Sequence, residues 1–251
     1  MTRVIAIVSG KGGVGKTTVV SNLGASLINE GQKVTMVDAD ITGANLGLHF
    51  GLTAPQVSIH NVLKGEAPLS DAIYTHPTGL EVIPGSLNAQ YADVVPRNLR
   101  EMLEHTLYER DFILIDSPTG LGEDTFAAVD SADEILIVTH PELPALADAL
   151  RTKVVFQKRG KKFAGVVLNR VQGEDEVKAE NVSIFLDLPI VGMIREDHRI
   201  RKSVETKRPV VWRYPHSIVS KQMKQVSSGL LSKDVDFEIS MKDRIRDFLS
   251  R

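Results

Sequence analysis

Gly10-Lys11-Gly12-Gly13-Val14-Gly15-Lys16-Thr17-Thr18 decides the fold of this 251-residue chain. Before it stands Val4-Ile5-Ala6-Ile7-Val8, a short apolar run rich in β-branched residues. After it, Val19 to Leu27 reads as a helix. A buried strand, a glycine loop and a helix start are the setting of a phosphate-binding loop. Glycines let backbone N–H groups turn inward around an anion, so Gly10, Gly12, Gly13 and Gly15, with Val14, form a cradle that Thr18 closes. The helix N-terminus adds unpaired N–H groups and a positive dipole end. Lys16 can reach the β- and γ-phosphates, and the Thr17 hydroxyl can sit on Mg²⁺.

Working outward, 42% apolar and 25% charged residues describe an ordinary globular protein, long enough for one α/β unit with a large core. A net charge of −2 gives no global basic field for nucleic acid. With no cysteine, disulfides, thiolate metal sites and cysteine nucleophiles are excluded. The apolar run after Arg3 is too short for a signal sequence, and no stretch is long enough to span a bilayer. The expected location is cytoplasmic.

Further along, Lys33 to Val37 reads as a second strand, ending in Asp38-Ala39-Asp40. Carboxylates at the C-terminal end of a strand are where α/β folds place chemistry. A small helix is expected near Ile59 to Leu63, a strand over Gly79 to Ile83, and a helix with leucines at 99, 103 and 107. Asp111 to Asp116 is an apolar strand ending in aspartate, a Walker B pattern that holds Mg²⁺ through Asp116. Glu134 to Thr139 is the next strand, followed by His140, which has no Ser or Cys partner in sequence and reads as a loop histidine. A helix then runs to about Lys158. Lys162 to Val171 is a strand ending in Asn169-Arg170. An amide presents both a donor and an acceptor to an adenine edge, and the Asn-Lys-x-Asp guanine motif is absent, so Asn169 is the adenine contact and ATP the nucleotide. Pro189 to Ile194 gives another strand, Pro209 to Trp212 a short edge strand, and Ser217 to Leu231 a closing helix. Alternating strands and helices predict a doubly wound, mostly parallel α/β sheet with helices on both faces, as in P-loop NTPases.

The second lysine of the loop, Lys11, is not required by ordinary P-loops. The pattern resembles the deviant Walker A motif of the MinD/ParA/nitrogenase-iron-protein class of ATPases. Asp-Ala-Asp after strand two and Asp116-Ser117-Pro118-Thr119-Gly120-Leu121-Gly122 are similar to two further MinD signatures, with Thr119 where alanine is usual. The resemblance covers residues 1 to about 231. It implies a Mg²⁺-dependent ATPase that works as an ATP-sandwich homodimer, with Lys11 reaching the partner's nucleotide. Lys11, Lys16 and Asp40 become the catalytic set, and Thr17, Asp40 and Asp116 the metal set; Asp38 braces the loop. It places the helix carrying Asp148 near the dimer and partner surface, where an unidentified activator or regulatory protein would act. Arg195 stands where the family has proline before Glu-Asp.

Residues 232–251 form a tail. Met241, Ile245, Phe248 and Leu249 recur at helical spacing among basic residues, and MinD proteins hold anionic membrane surfaces with such a helix. The implied function is a switch whose ATP state associates peripherally with membrane and positions the division site. The alternatives are a ParA-like partition ATPase holding nonspecific DNA through Lys158-Arg159-Lys161-Lys162 or Arg199-Arg201-Lys202, and a MinD-like positioning factor for another cellular structure. No substrate constellation points to a metabolic ligase.

Overall fold

The computed structural model describes residues 2–88, 91, 94, 98–173 and 177–231; the tail patterns at 232–251 lie outside the described residues. Along the chain run β1 (Arg3–Val8), α1 (Lys16–Asn29), β2 (Val34–Asp38), a 3-10 helix (Leu46–Phe50), α2 (Ile59–Leu63), a second 3-10 turn (Leu69–Ala72), β3 (Tyr74–Thr75) and β4 (Glu81–Ile83). Then follow α3 (Leu99–Thr106), β5 (Phe112–Asp116), α4 (Glu123–Asp130), β6 (Glu134–Thr139), α5 (Leu143–Lys158), β7 (Lys162–Val171), α6 (Ala179–Leu186), β8 (Ile190–Arg195), α7 (His198–Glu205), α8 (Val210–Arg213) and α9 (Ile218–Leu230).

The described strands form one sheet in the order β3-β4-β2-β5-β1-β6-β7-β8. All neighbours are parallel except β3, a two-residue edge strand antiparallel to β4. The period of two splits each central strand between two cores. In β1, Val4, Ala6 and Val8 face the core built with α3, α4, α5 and α6, while Ile5 and Ile7 face the core built with α1, α8 and α9. Strands buried on both faces need near-continuous apolar runs, and Ile5, Ile7, Leu114, Ile115, Leu136 and Ile137 are fully buried.

One element differs from its expected form. Pro209 to Trp212 is no edge strand: Pro209 leads into the helical turn α8, closed by Trp212 N–H and Arg213 N–H donating to the Pro209 carbonyl at 3.0 Å each. Two adjacent valines favour a strand locally, but here Val210 and Val211 are both buried in the core beside α1, which outweighs propensity. The β-strand pattern also gave no sign of β3, since two residues carry no period.

The topology places the chemistry at one edge. β1 connects onward to β2 on one side of the sheet and its neighbour β6 to β7 on the other, so their C-terminal ends flank the switch point where open α/β sheets bind ligands. In register, Ile7 pairs with Asp116 and Asp38 pairs with Asp116. The ends of β1, β2 and β5 therefore bring the glycine loop and two carboxylates together.

Candidate nucleotide site

The loop after β1 runs into α1 through Gly15, the N-cap, in the left-handed region at φ 86°. No side chain caps α1, and no acidic residue stands in its first turn. Its leading N–H groups are thus left for an anion. Val14, Lys16 and Thr18 flank a cavity of about 390 Å³ lined also by Ser9, Thr17, Asp40, His49, Thr119 and Arg170. A second cavity of about 680 Å³ shares Gly15, Thr18 and Arg170 with the first and is lined by Asn169, Glu196, Asp197, His198, Ile200, Arg201 and Val204. One chamber has phosphate-like chemistry, and the adjoining one has the size and partly apolar wall for a base.

The loop is clamped from two sides. A Cβ on Gly10 would lie 2.5 Å from the Asp148 carbonyl oxygen of α5, so only glycine permits this approach. A Cβ on Gly15 would collide with the Asn169 amide. Asn169, buried at the end of β7, donates through Nδ2 to the Val14 carbonyl at 2.7 Å, while its Oδ1 is buried with no partner. One of the two amide hydrogens is thus spent on the loop, leaving the Oδ1 acceptor and the second hydrogen.

The charged floor is buried. Lys16 Nζ lies 3.0 Å from Asp116 Oδ1, with side chains 5% and 0% exposed. Asp116 Oδ2 is buried without a partner. Asp38 accepts the N–H of Leu46 at 2.9 Å and of Asp40 at 3.3 Å, the bracing expected of it. Its burial and the neighbouring Asp116 charge push its pKa up to about 8. Asp40 is half-buried on the cavity wall and accepts the Gly43 N–H at 3.0 Å. Burial raises its pKa, against the pull of Lys16. Among the described residues no cluster of three or more His, Cys, Asp or Glu cages a metal alone. That suits Mg²⁺, which is held by one or two carboxylates with phosphate and water. The orphaned Asp116 oxygen, Asp40 and the Thr17 hydroxyl are hard oxygen donors of the required kind.

Lys11 is exposed on the outer side of the loop and makes no ion pair among the described residues. His140 sits in the β6–α5 loop, with Nε2 buried and unpartnered; burial first, then Arg170, lowers its pKa. Arg195 does not line the base-side cavity. Asp197 does, and its carboxylate takes Arg199 at 2.8 and 3.0 Å; burial opposes its charge, but the Arg199 hydrogen bonds win and lower the pKa. The two candidate DNA clusters are largely committed to the fold. Arg159 pairs with Asp130 at 2.6 Å, Lys161 donates to the Asp130 and Ala132 carbonyls, Arg199 is buried, and Arg201 pairs with Glu205 at 3.2 Å. Among the described residues no helix is long and apolar enough to cross a membrane. His49 lines the phosphate cavity and was not found by sequence reasoning, because its partner Ser21 is 28 residues away.

A β-strand, glycine loop and helix N-terminus facing a buried Lys–Asp pair at a topological switch point define a P-loop nucleotide-binding protein. Residues 1–231 match the ParA family profile, described as NUBPL iron-transfer P-loop NTPase, and the chain belongs to this family. It is 35% identical to an uncharacterised ATP-binding protein of Methanocaldococcus jannaschii, over all of this chain and 95% of that one. Its fold matches the cell division ATPase MinD of Pyrococcus furiosus at a TM-score of 0.88 and 38% identity, covering 92% of this chain and 99% of that one. It matches the septum site-determining protein MinD of Pyrococcus horikoshii, complexed with Mg-ADP, at 0.87 and 37%, covering 91% and 95%. The chain is a MinD/ParA-type ATPase that uses ATP and Mg²⁺. The iron in the family description has no thiolate ligand here, since the sequence contains no cysteine.

Proposed function

We propose that the chain is a MinD-type switch: ATP drives it into a homodimer, the dimer holds an anionic membrane surface and positions a cellular structure such as the division site, and hydrolysis releases it. In this reading residues 1–231 are the ATPase unit and 232–251 the membrane-binding tail. The P-loop from Gly10 to Thr18 holds the phosphates, with Lys16 on the β- and γ-phosphates. Thr17, Asp40 and Asp116 would hold Mg²⁺, which would supply positive charge against the phosphates. Asp40 orients the attacking water, and Asn169 Oδ1 accepts from the adenine amine. The protein is cytoplasmic in its ADP state and peripherally membrane-bound in its ATP state.

The observation that carries the dimer is Lys11. It is an exposed cation on the loop that cradles phosphate, without an ion-pair partner among the described residues. Lys11 is not among the residues lining its own phosphate cavity, and the deviant Walker A resemblance gives such a lysine to a facing copy's phosphates. Two tails on one dimer make the second membrane contact intramolecular, raising avidity by about a hundredfold or more. Arg199 is buried against Asp197 and withheld from DNA, whereas Arg159 and Arg201 sit in weak exposed pairs, so plasmid co-sedimentation separates the DNA-binding alternative. Light scattering with a non-hydrolysed ATP analogue tests the dimer: it should form in the parent chain and vanish in Lys11→Ala. Liposome co-sedimentation should be strong with the analogue, weak with ADP and lost in a chain ending at Ser240. A Lys11→Ala dimer, or equal sedimentation of the shortened chain, refutes the respective half.

A further inference from the structure

We infer that His49 is a positioning residue of the metal–nucleotide site, accepting a hydrogen bond through Nε2 from a Mg²⁺-bound water. The inference rests on the nucleotide-site reading above and adds a residue to it.

His49 lies in the 3-10 helix Leu46–Phe50, which begins where the Leu46 N–H is tied to Asp38. The ring is buried, 7% exposed, yet it forms part of the wall of the phosphate cavity with Lys16, Thr17 and Asp40. Its Nδ1 lies 3.0 Å from Ser21 Oγ. Ser21 stands four residues after Thr17, so both project from the same face of α1, one turn apart. The proposed Mg²⁺ ligand and the partner of His49 are therefore stacked side by side.

An acceptor at Nε2 requires one tautomer. Ser21 Oγ lies 3.0 Å from the Thr18 carbonyl oxygen, which can take its single proton. With the proton so placed, Ser21 Oγ meets the imidazole as an acceptor, and we place the ring proton on Nδ1 and the lone pair on Nε2. No hydrogen bond to Nε2 occurs among the described residues. Burial holds the ring neutral, its pKa lowered to about 4 in spite of the opposing Asp116 charge. A neutral imidazole with a free lone pair on the wall of a cavity that also holds Asp40 accepts a hydrogen bond from water that a cation polarises. It cannot donate to phosphate from that nitrogen. An apolar side chain at this position would fill the space equally well and offer no acceptor.

Calorimetry of ADP binding to the full chain, with Mg²⁺ present and with EDTA, tests this in the parent, His49→Leu and His49→Gln. In the parent, Mg²⁺ should strengthen ADP binding. His49→Leu should bind ADP in EDTA as the parent does but lose 10–100-fold of apparent Mg²⁺ affinity, the range for removing a group that orients a ligand of the metal. His49→Gln, whose Oε1 is again an acceptor, should recover most of it. A Mg²⁺ effect in His49→Leu equal to the parent's overturns the inference. So does a loss of ADP affinity that is the same with and without Mg²⁺, since packing alone would produce it. Failure of the parent to bind ADP at all would instead remove the nucleotide-site reading on which this rests.

Discussion

Lys16→Met separates two roles that meet in one side chain. Its Nζ is 3.0 Å from Asp116 Oδ1, and both groups are buried. At an effective dielectric constant of about 20 the attraction is roughly 5 kcal/mol gross, offset by the desolvation of both charges. Methionine keeps the stem and removes the charge. Asp116 is then left with two unpartnered buried oxygens beside Asp38 and Asp40. Stranding a buried charge costs about 3–5 kcal/mol, or roughly 6–20 °C in Tm for a chain of this size. Urea unfolding without nucleotide measures that loss, and calorimetry should find no ATP binding. The double variant Lys16→Met/Asp116→Asn removes both charges and should regain most of the stability while still failing to bind ATP. A Lys16→Met protein within about 1 kcal/mol of the parent would refute the buried-pair argument. One that binds ATP normally would refute the phosphate role.

Asp40→Ala should leave ATP binding and the dimer intact while lowering turnover by at least about 10²-fold, read by phosphate release, because a group that orients water acts mainly in the transition state. Gly10→Ala sets a methyl 2.5 Å from the Asp148 carbonyl oxygen and should cost about 1–3 kcal/mol, seen in urea unfolding, whereas Ala at Gly12, with no atom within 4 Å of the new carbon, should be far milder. His49, held neutral by burial with a pKa near 4, adds stability that is fully present above about pH 6.5 and is lost as pH falls toward 4. The difference is roughly 3 kcal/mol, and His49→Gln should lack this acid slope in unfolding curves from pH 7 to 4.

What the sequence made legible depended on periodicity and local spacing. The strand–loop–helix around Gly10 to Thr18, the strand ends at Asp38 and Asp116, and the amphipathic α3 all express rules that act within one segment, and all were found where expected. Val210-Val211 misled because the same two side chains are buried equally well from a helical turn, and nothing local says that α1 lies beneath them. The tie of Asn169 to the loop was not legible locally: that one of its amide hydrogens goes to the Val14 carbonyl depends on how β7 and the loop approach, a matter of 155 residues of separation. His49 gave no local signal, since a buried histidine shows its purpose only through what surrounds it.

The clamps on the glycine loop also bear on how phosphate is received. Gly10 rests on the α5 backbone at Asp148, Gly15 rests on the Asn169 amide, and the Val14 carbonyl is tied to the same amide at 2.7 Å. A loop held so closely on both sides is a preorganised cradle, suited to receiving phosphate without rearranging. The stretch after β5 is built differently. Thr119 is exposed and lines the phosphate cavity, Gly120 sits at φ 84° with open space where a side chain would be, and the Gly120 N–H donates to the Ser9 carbonyl at 3.2 Å. Its start is held as well, the Ser117 N–H and hydroxyl both donating to the Ile7 carbonyl at 3.3 and 2.7 Å, and Thr119 lies between that anchor and the Gly120 bond. Thr119 and Gly15 both line the cavity, so a group filling it meets the preorganised loop and the end of β5 together. The clamped loop and the end of β5 thus meet at one cavity: α5 is packed against the loop at Gly10, and Thr119 adds an exposed hydroxyl to the same cavity wall.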